Sequence, residues 1–313
     1  MDLRNLGTSG LRVSVVGLGC NNFGGRSDLE ATRKVMHKAL DLGINFFDTA
    51  DIYGGQGGSE TLMGEIMGEN RKDIVLASKF GMVMDQAGEM KGGSRRYIMS
   101  AVEDSLKRLK TDWIDLYQLH QPDPLTPIEE TLSALDDLVR QGKVRYVGCS
   151  NLKAWEVVEA EWTARDRRYI PFVSCQDEYS LLVRDIEDEL VPATESYGLG
   201  IIPFFPLACG LLTGKYERGG AMPADGRLSN SQGLADRYMT ERNWDIVEGL
   251  RDFCNSRGHT MLELAFSWLA QQPMVSSVIA GATRPEQLEQ NVAAVNWHLT
   301  DEDMAEIDRL APR

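Results

Sequence analysis

Four side chains fit for acid–base chemistry stand at matching places in three apolar runs. Asp48 and Tyr53 lie in Phe46-Phe47-Asp48-Thr49-Ala50-Asp51-Ile52-Tyr53-Gly54. Lys79 ends Ile74-Val75-Leu76-Ala77-Ser78-Lys79, and His120 ends Trp113-Ile114-Asp115-Leu116-Tyr117-Gln118-Leu119-His120. Each run reads as a buried parallel strand carrying its polar group at or just past the C-terminal end. In a (β/α)8 barrel that end is where active sites form. A phenol beside an ammonium and an imidazole can exchange a proton near neutral pH, the acid–base service that carbonyl reduction requires.

The elements that must position these groups repeat along the chain. Apolar strand-like runs occur at 15–18, 45–48, 74–79, 113–120, 144–148, 172–175, 200–203 and 277–279. Between them lie stretches with i, i+3, i+4 apolar spacing, among them 30–42, 94–109, 128–141 and 186–197. Eight strands alternating with helices predict an α/β fold of one domain over 1–313, a closed (β/α)8 TIM barrel. An open doubly wound sheet would favour Gly-x-Gly-x-x-Gly after the first strand; Gly17-Leu18-Gly19-Cys20-Asn21-Asn22-Phe23-Gly24-Gly25 lacks that spacing. Leu6-Gly7-Thr8-Ser9-Gly10-Leu11 predicts an N-terminal β-hairpin over the barrel bottom. Residues 285–295 and 301–310 predict two final helices, the second an extra one. Segments 81–93 and 211–238 exceed what barrel connections need and fall on the catalytic face, which predicts functional loops.

Composition narrows the function classes. The chain has 313 residues, 42% hydrophobic and 26% charged, with a formal net charge of −14. Acidic residues are spread along it, which argues against a phosphate-binding basic face for nucleic acid and against an anionic membrane surface. No apolar run reaches ~18–20 residues and no signal peptide is apparent, so a cytoplasmic protein is expected. The five cysteines (Cys20, Cys149, Cys175, Cys209, Cys254) are widely spaced and read as reduced packing residues rather than disulfides or a zinc site. The pattern specifies no oligomeric state.

Several stretches together resemble the aldo-keto reductase family, in the branch that includes the potassium-channel β-subunits. They are Phe47-Asp48-Thr49-Ala50-Asp51-Ile52-Tyr53-Gly54, Thr111-Asp112-Trp113-Ile114-Asp115-Leu116-Tyr117-Gln118-Leu119-His120 and Gly142-Lys143-Val144-Arg145-Tyr146-Val147-Gly148-Cys149-Ser150-Asn151. Gly210-Leu211-Leu212-Thr213-Gly214-Lys215-Tyr216 and Gly281-Ala282-Thr283-Arg284-Pro285-Glu286-Gln287-Leu288 complete the set. The family's fold is the barrel already expected from the strand count.

The resemblance implies a catalytic tetrad of Asp48, Tyr53, Lys79 and His120. An ammonium ~4 Å from a phenolate contributes about 4 kcal/mol at an effective dielectric near 20, which pulls a phenol of ~10 toward neutrality. Lys79 would thus activate Tyr53, Asp48 would hold Lys79 charged, and His120 would polarise the substrate carbonyl. Singly, a strand-end lysine, a core histidine or a rim tyrosine is ordinary structure; the four together favour chemistry. The resemblance also implies NADPH. Ser150, Asn151 and Gln176 would hold the nicotinamide carboxamide, and Phe204 would stack on its ring. Here Phe204-Phe205-Pro206 replaces the commoner Tyr-Ser-Pro, so the hydroxyls are missing. Leu207, Gly210, Leu212, Gly214 and Lys215, with Arg227, would wrap the pyrophosphate. Gly281, Thr283 and Arg284 would meet the 2′-phosphate at a helix start, with Gln287 and Asn291 on the adenine. Asn21, Asn22, Phe23 and Met82 would line the pocket for a small carbonyl substrate.

The expected activity is NADPH-dependent reduction of aldehydes or ketones. The alternative is a nicotinamide-binding regulatory subunit that docks on a partner protein and turns over slowly; the absence of a long N-terminal extension weighs against it. A metal-dependent hydrolase is disfavoured because no H-x-H or clustered His/Asp ligand set occurs.

Overall fold

A computed structural model describes residues 1–224 and 226–313. Asp225, inside the long loop expected at 211–238, lies outside the described residues. The chain opens with β1 (Leu3–Asn5) and β2 (Arg12–Ser14), paired antiparallel with Leu3 opposite Ser14. Eight parallel strands follow: β3 (Val16–Gly19), β4 (Phe46–Asp48), β5 (Val75–Phe80), β6 (Ile114–Leu119), β7 (Val144–Ser150), β8 (Ser174–Glu178), β9 (Gly200–Phe204) and β10 (Val278–Gly281). Their order around the sheet is β10-β3-β4-β5-β6-β7-β8-β9. The last gap closes just before β10, where Ile201 N donates to Met274 O at 2.7 Å and Ser276 N donates to Ile201 O at 3.0 Å. The result is a (β/α)8 barrel with an N-terminal hairpin.

Side chains alternate across each strand, so every second residue points into the lumen. The lower lumen is apolar: Phe46, Ala77, Leu116, Ile202 and Ile279 pack together, and the hairpin segment inserts Leu6 and Val13 among them. Gly7 (φ +56) lets the hairpin turn sit on the strand starts; a Cβ there would fall 2.4 Å from Gly198 O and 2.6 Å from Gly200 N. One step further along the same lumen face come Asp48, Lys79, Gln118 and Gln176. The other strand face packs on the helices in a larger core containing Val35, Phe47, Leu76, Tyr117, Val147 and Leu264.

Helices match the apolar spacing, and several start on oxygen caps. Asp28 caps Leu29–Asp41 and Ser94 caps Arg95–Leu109, each side chain accepting a first-turn N–H. The helix expected at 186–197 is instead a short turn, Asp185–Glu187, and a helix, Leu190–Tyr197. Pro192 accounts for the break, since it has no N–H and its ring crowds the carbonyl four residues back. The long 211–238 loop is also less irregular than expected, because it ends in a helix over Gln232–Tyr238. Glu241–Arg257 and Met261–Ala270 then lead into β10, and Pro285–Ala293 and Asp301–Leu310 close the chain.

Candidate active site

The chain continues alongside β5 after β4 ends. Thr49 N donates to Ala77 O at 2.9 Å and Asp51 N donates to Lys79 O at 3.1 Å, which carries Tyr53 over the Lys79 side chain. Gly54 (φ +70) makes the turn possible: a Cβ there would lie 2.4 Å from Phe23 O and 2.6 Å from Ser59 N. On the other side His120 N donates to Phe80 O at 2.8 Å, extending the β6 ladder by one residue. Three separate segments thus meet at one point.

Lys79 is fully buried. Its Nζ donates to Asp48 Oδ2 at 2.5 Å, to Thr49 O at 3.0 Å and to Tyr53 OH at 3.5 Å. Burial alone would strip the ammonium of its proton, but the Asp48 carboxylate, helped by Tyr53, outweighs it and holds Lys79 above its ordinary range. The second oxygen of Asp48 accepts from Gln118 Nε2 at 3.1 Å and from Gln176 Nε2 at 2.9 Å. The His120 ring meets the Tyr53 ring edge-on at 5.6 Å. Burial, then the nearby Lys79 charge, depress the imidazole to about 3, so His120 is neutral at physiological pH. Its Nδ1 is buried without a hydrogen-bond partner among the described residues.

The phenol departs from the sequence-based expectation. Burial raises the pKa of Tyr53, and the pull of Lys79, though in the expected direction, only partly offsets it. The phenol therefore keeps its proton at neutral pH, with an ammonium in place to stabilise the phenolate left by proton transfer.

Asp48, Tyr53, His120 and Gln176 floor a cleft of ≈ 1300 Å³. Along its wall Ser150 Oγ donates to Gln176 O at 2.8 Å, while Asn151 Nδ2 donates to His120 O at 2.9 Å and to Ser150 Oγ at 3.0 Å. Asn151 sits at φ +61, a conformation that asparagine tolerates better than most residues. Phe204 lines the cleft and meets Phe205 edge-on at 5.3 Å. Beyond it the backbone takes positive φ at Phe205 (+53), Ala208 (+45), Cys209 (+56), Gly210 (+102) and Gly214 (+81). Strained non-glycine positions of this kind cluster at ligand clamps. Leu207, Gly210 and Lys215 line the cleft here, whereas Leu212 is fully buried and Leu212 and Gly214 are not part of the lining. The Arg227 guanidinium lies 4.7 Å over the Phe205 ring.

At the far end Gly281, Thr283, Arg284, Gln287 and Asn291 line the cleft. Gln287 Oε1 accepts from Thr283 N at 2.8 Å and from Arg284 N at 3.3 Å, so its carbonyl caps its own helix. Asn21 and Asn22 line the cleft too, but on the Gly281 side: a Cβ on Gly281 would fall 3.0 Å from Asn21 Oδ1 and 2.9 Å from Asn22 Nδ2. Phe23 is a correction, because it is fully buried in the outer core and contributes nothing to the cleft. Met82 does not line it either. Arg26, Cys209, Thr260, Leu262 and Glu263 do line it and were missed; only Arg26, following Gly24-Gly25 in a strand-end loop, carried any local signal. Four cations (Arg26, Lys215, Arg227, Arg284), a left-handed backbone cradle and a ring-lined inner end suit a long anionic ligand with a planar head, the shape of a nicotinamide dinucleotide. Among the described residues no three His, Cys, Asp or Glu side chains are grouped to hold a metal ion, and no helix is long and apolar enough to cross a membrane.

This arrangement on a (β/α)8 barrel coincides with a family match over residues 15–312 to the Aldo/keto reductase family. The chain belongs to that family. It is 38% identical to a probable voltage-gated potassium channel subunit beta of Arabidopsis thaliana, over 95% of this chain and 92% of that protein. It is also 38% identical to the L-glyceraldehyde 3-phosphate reductase of Escherichia coli O157:H7, over 99% of this chain and 92% of that protein. With the uncharacterized oxidoreductase YrpG of Bacillus subtilis it shares 36% identity, over 100% and 96% of the two chains.

Proposed function

We propose that this chain is an NADPH-dependent reductase of aldehydes or ketones, acting in the cytoplasm, with Tyr53 as proton donor. The observation that carries the reading is the buried Asp48–Lys79 pair within hydrogen-bond reach of the Tyr53 hydroxyl at the cleft floor. NADPH, when bound, supplies the hydride. Lys215 and Arg227 would meet its pyrophosphate and Arg284 its 2′-phosphate, while Phe204, Ser150, Asn151 and Gln176 would hold the nicotinamide.

The carbonyl oxygen sits between Tyr53 and neutral His120, which polarises the C=O bond by hydrogen bonding. As negative charge develops on that oxygen, Tyr53 OH gives up its proton, yielding the alcohol and a phenolate. An ammonium 3.5 Å away stabilises that phenolate by about 5 kcal/mol at an effective dielectric near 20. Asp48 keeps the ammonium charged and aimed. The walls supply position and preorganised charge, which are the protein's share of the catalysis.

The name of the Escherichia coli relative favours small aldehydes as the first substrates to try. The match to a channel β-subunit keeps a second reading, a slow-turnover regulatory subunit. A panel of aldehydes and ketones with NADPH, followed at 340 nm for wild type and Tyr53→Phe, separates the two. Steady Tyr53-dependent turnover supports the reductase. A cofactor that binds without turnover on every carbonyl tried supports the subunit.

A further inference from the structure

We propose that Gln118 is a positioning residue of this acid–base site: with Gln176 it ties one oxygen of Asp48, leaving the other to Lys79, and it fixes which way the Gln176 amide faces. The inference rests on the reading that Asp48, Lys79 and Tyr53 deliver the proton.

Gln118 is fully buried on β6, on the lumen face two residues before His120, and is not part of the cleft lining. It therefore acts through its neighbours. Its Nε2 donates to Asp48 Oδ1 at 3.1 Å, and Gln176 Nε2 donates to the same atom at 2.9 Å. The lysine takes Asp48 Oδ2 at 2.5 Å. The two carboxylate oxygens are thus divided between two amides and one ammonium. A buried ion pair holds only when its remaining lone pairs are hydrogen-bonded, and Gln118 supplies one of those bonds.

The second consequence follows from counting protons. A side-chain amide has two N–H donors and one carbonyl acceptor. Gln176 Nε2 is also 3.5 Å from Gln118 Oε1. Its two protons are therefore directed at Asp48 and Gln118, which leaves its Oε1 for the cleft. A ligand at this wall meets an acceptor, so a carboxamide there must present its NH₂ to Gln176. Space for this arrangement comes from Gly148 on the neighbouring strand, where a Cβ would fall 3.3 Å from Gln118 Cγ and 2.6 Å from Ser174 Oγ. A neutral amide, or an acid that keeps its proton, serves both partners. An apolar residue leaves Asp48 short of a donor and frees Gln176 to flip, and an ionised acid repels Asp48.

The test compares wild type, Gln118→Met, Gln118→Glu and Tyr53→Phe, with kcat, KM and NADPH affinity measured from pH 5 to 8. Gln118→Met should lose about tenfold in kcat at all pH values, with aldehyde KM little changed, as for a lost bond to a charged group. Gln118→Glu should approach wild type at pH 5, where its carboxyl keeps a proton to donate to Asp48. It should fall about tenfold by pH 8 as that proton leaves, and a purely structural role would give no such pH dependence. Wild-type kcat and an unshifted pH profile in both variants, with Tyr53→Phe inactive, would overturn the proposal. An active Tyr53→Phe would instead sink the underlying assignment of the proton donor. Should Gln118→Met fold poorly, the Glu variant still decides, because its arms are two pH values of one folded sample, and a flat profile there overturns the role.

Discussion

Replacing Lys79 with methionine removes one charge from the site and nearly preserves the side chain's volume. The Nζ atom lies 3.5 Å from the Tyr53 oxygen, an interaction of about 5 kcal/mol with a full phenolate at an effective dielectric near 20. In the transition state the proton is only part transferred, so about half of that value acts on the barrier. The expected loss is ~2–3 kcal/mol, or roughly 30- to 150-fold in kcat. A second effect accompanies it: Asp48, 2% exposed, becomes an unpaired buried carboxylate. Breaking such a pair costs ~3–5 kcal/mol of folding stability. The double variant Asp48→Asn/Lys79→Met removes both charges and separates the two effects; it should recover most of the stability and none of the rate. The assay is single-turnover NADPH oxidation with saturating aldehyde, alongside thermal melting. A Lys79→Met enzyme within threefold of the wild-type rate would refute the electrostatic account of Tyr53. So would a double variant that regained activity with its stability.

Tyr53→Phe should lower kcat by more than tenfold while NADPH binding, followed by fluorescence titration, stays within twofold; a barrier change under ~1.4 kcal/mol would mean the proton comes from elsewhere. Arg284→Ala should weaken NADPH by roughly ten- to a hundred-fold and NADH little, since only NADPH carries the 2′-phosphate; equal weakening of both would make Arg284 structural. Asp177 is buried, and desolvation lifts its carboxyl to about 7, slightly offset by the Cys175 thiol. The native state thus holds a proton that the unfolded chain releases near 4, and stability falls as pH rises from about 4 to 7. Asp177→Asn should therefore gain in Tm relative to wild type as pH goes from 5 to 8; a constant difference would contradict the buried-acid account.

How much of this was legible in the sequence depended on which residues left a pattern. The strands showed because both faces are buried, yet several ran on further than expected: β8 extends to Glu178 and β7 to Ser150. Those extra residues lie in the polar upper rim, where hydropathy stops marking a strand. Asp48, Lys79 and His120 could be expected because each closes an apolar run, and Tyr53 because it follows the first of those runs and completes the resemblance. Gln118 could not be singled out, because a lone amide inside an apolar strand has no local partner, and its bonds reach to residues 70 and 58 positions away. Phe23 was misread for a related reason. Its place in a strand-end loop suggested the cleft, but Gly24 and Gly54 bring two loops into contact, and Phe23 is buried in the core. The sign of the Lys79 effect on Tyr53 followed from charge alone, whereas its net outcome required knowing how deeply the phenol is buried.

The hairpin seated in the barrel bottom has a consequence for proton traffic. Leu6 and Val13, packed among Phe46, Leu116 and Ile202, fill the lower lumen beneath the Lys79 level with apolar side chains, a poor path for water. Among the described residues the site opens through the cleft mouth, which on the proposed function cofactor and carbonyl compound would themselves fill. On the proposed function Tyr53 would be a one-shot reservoir, loaded while the mouth is open and emptied while it is blocked. Its refilling would then follow ligand departure, which ties recharging of the acid to product release.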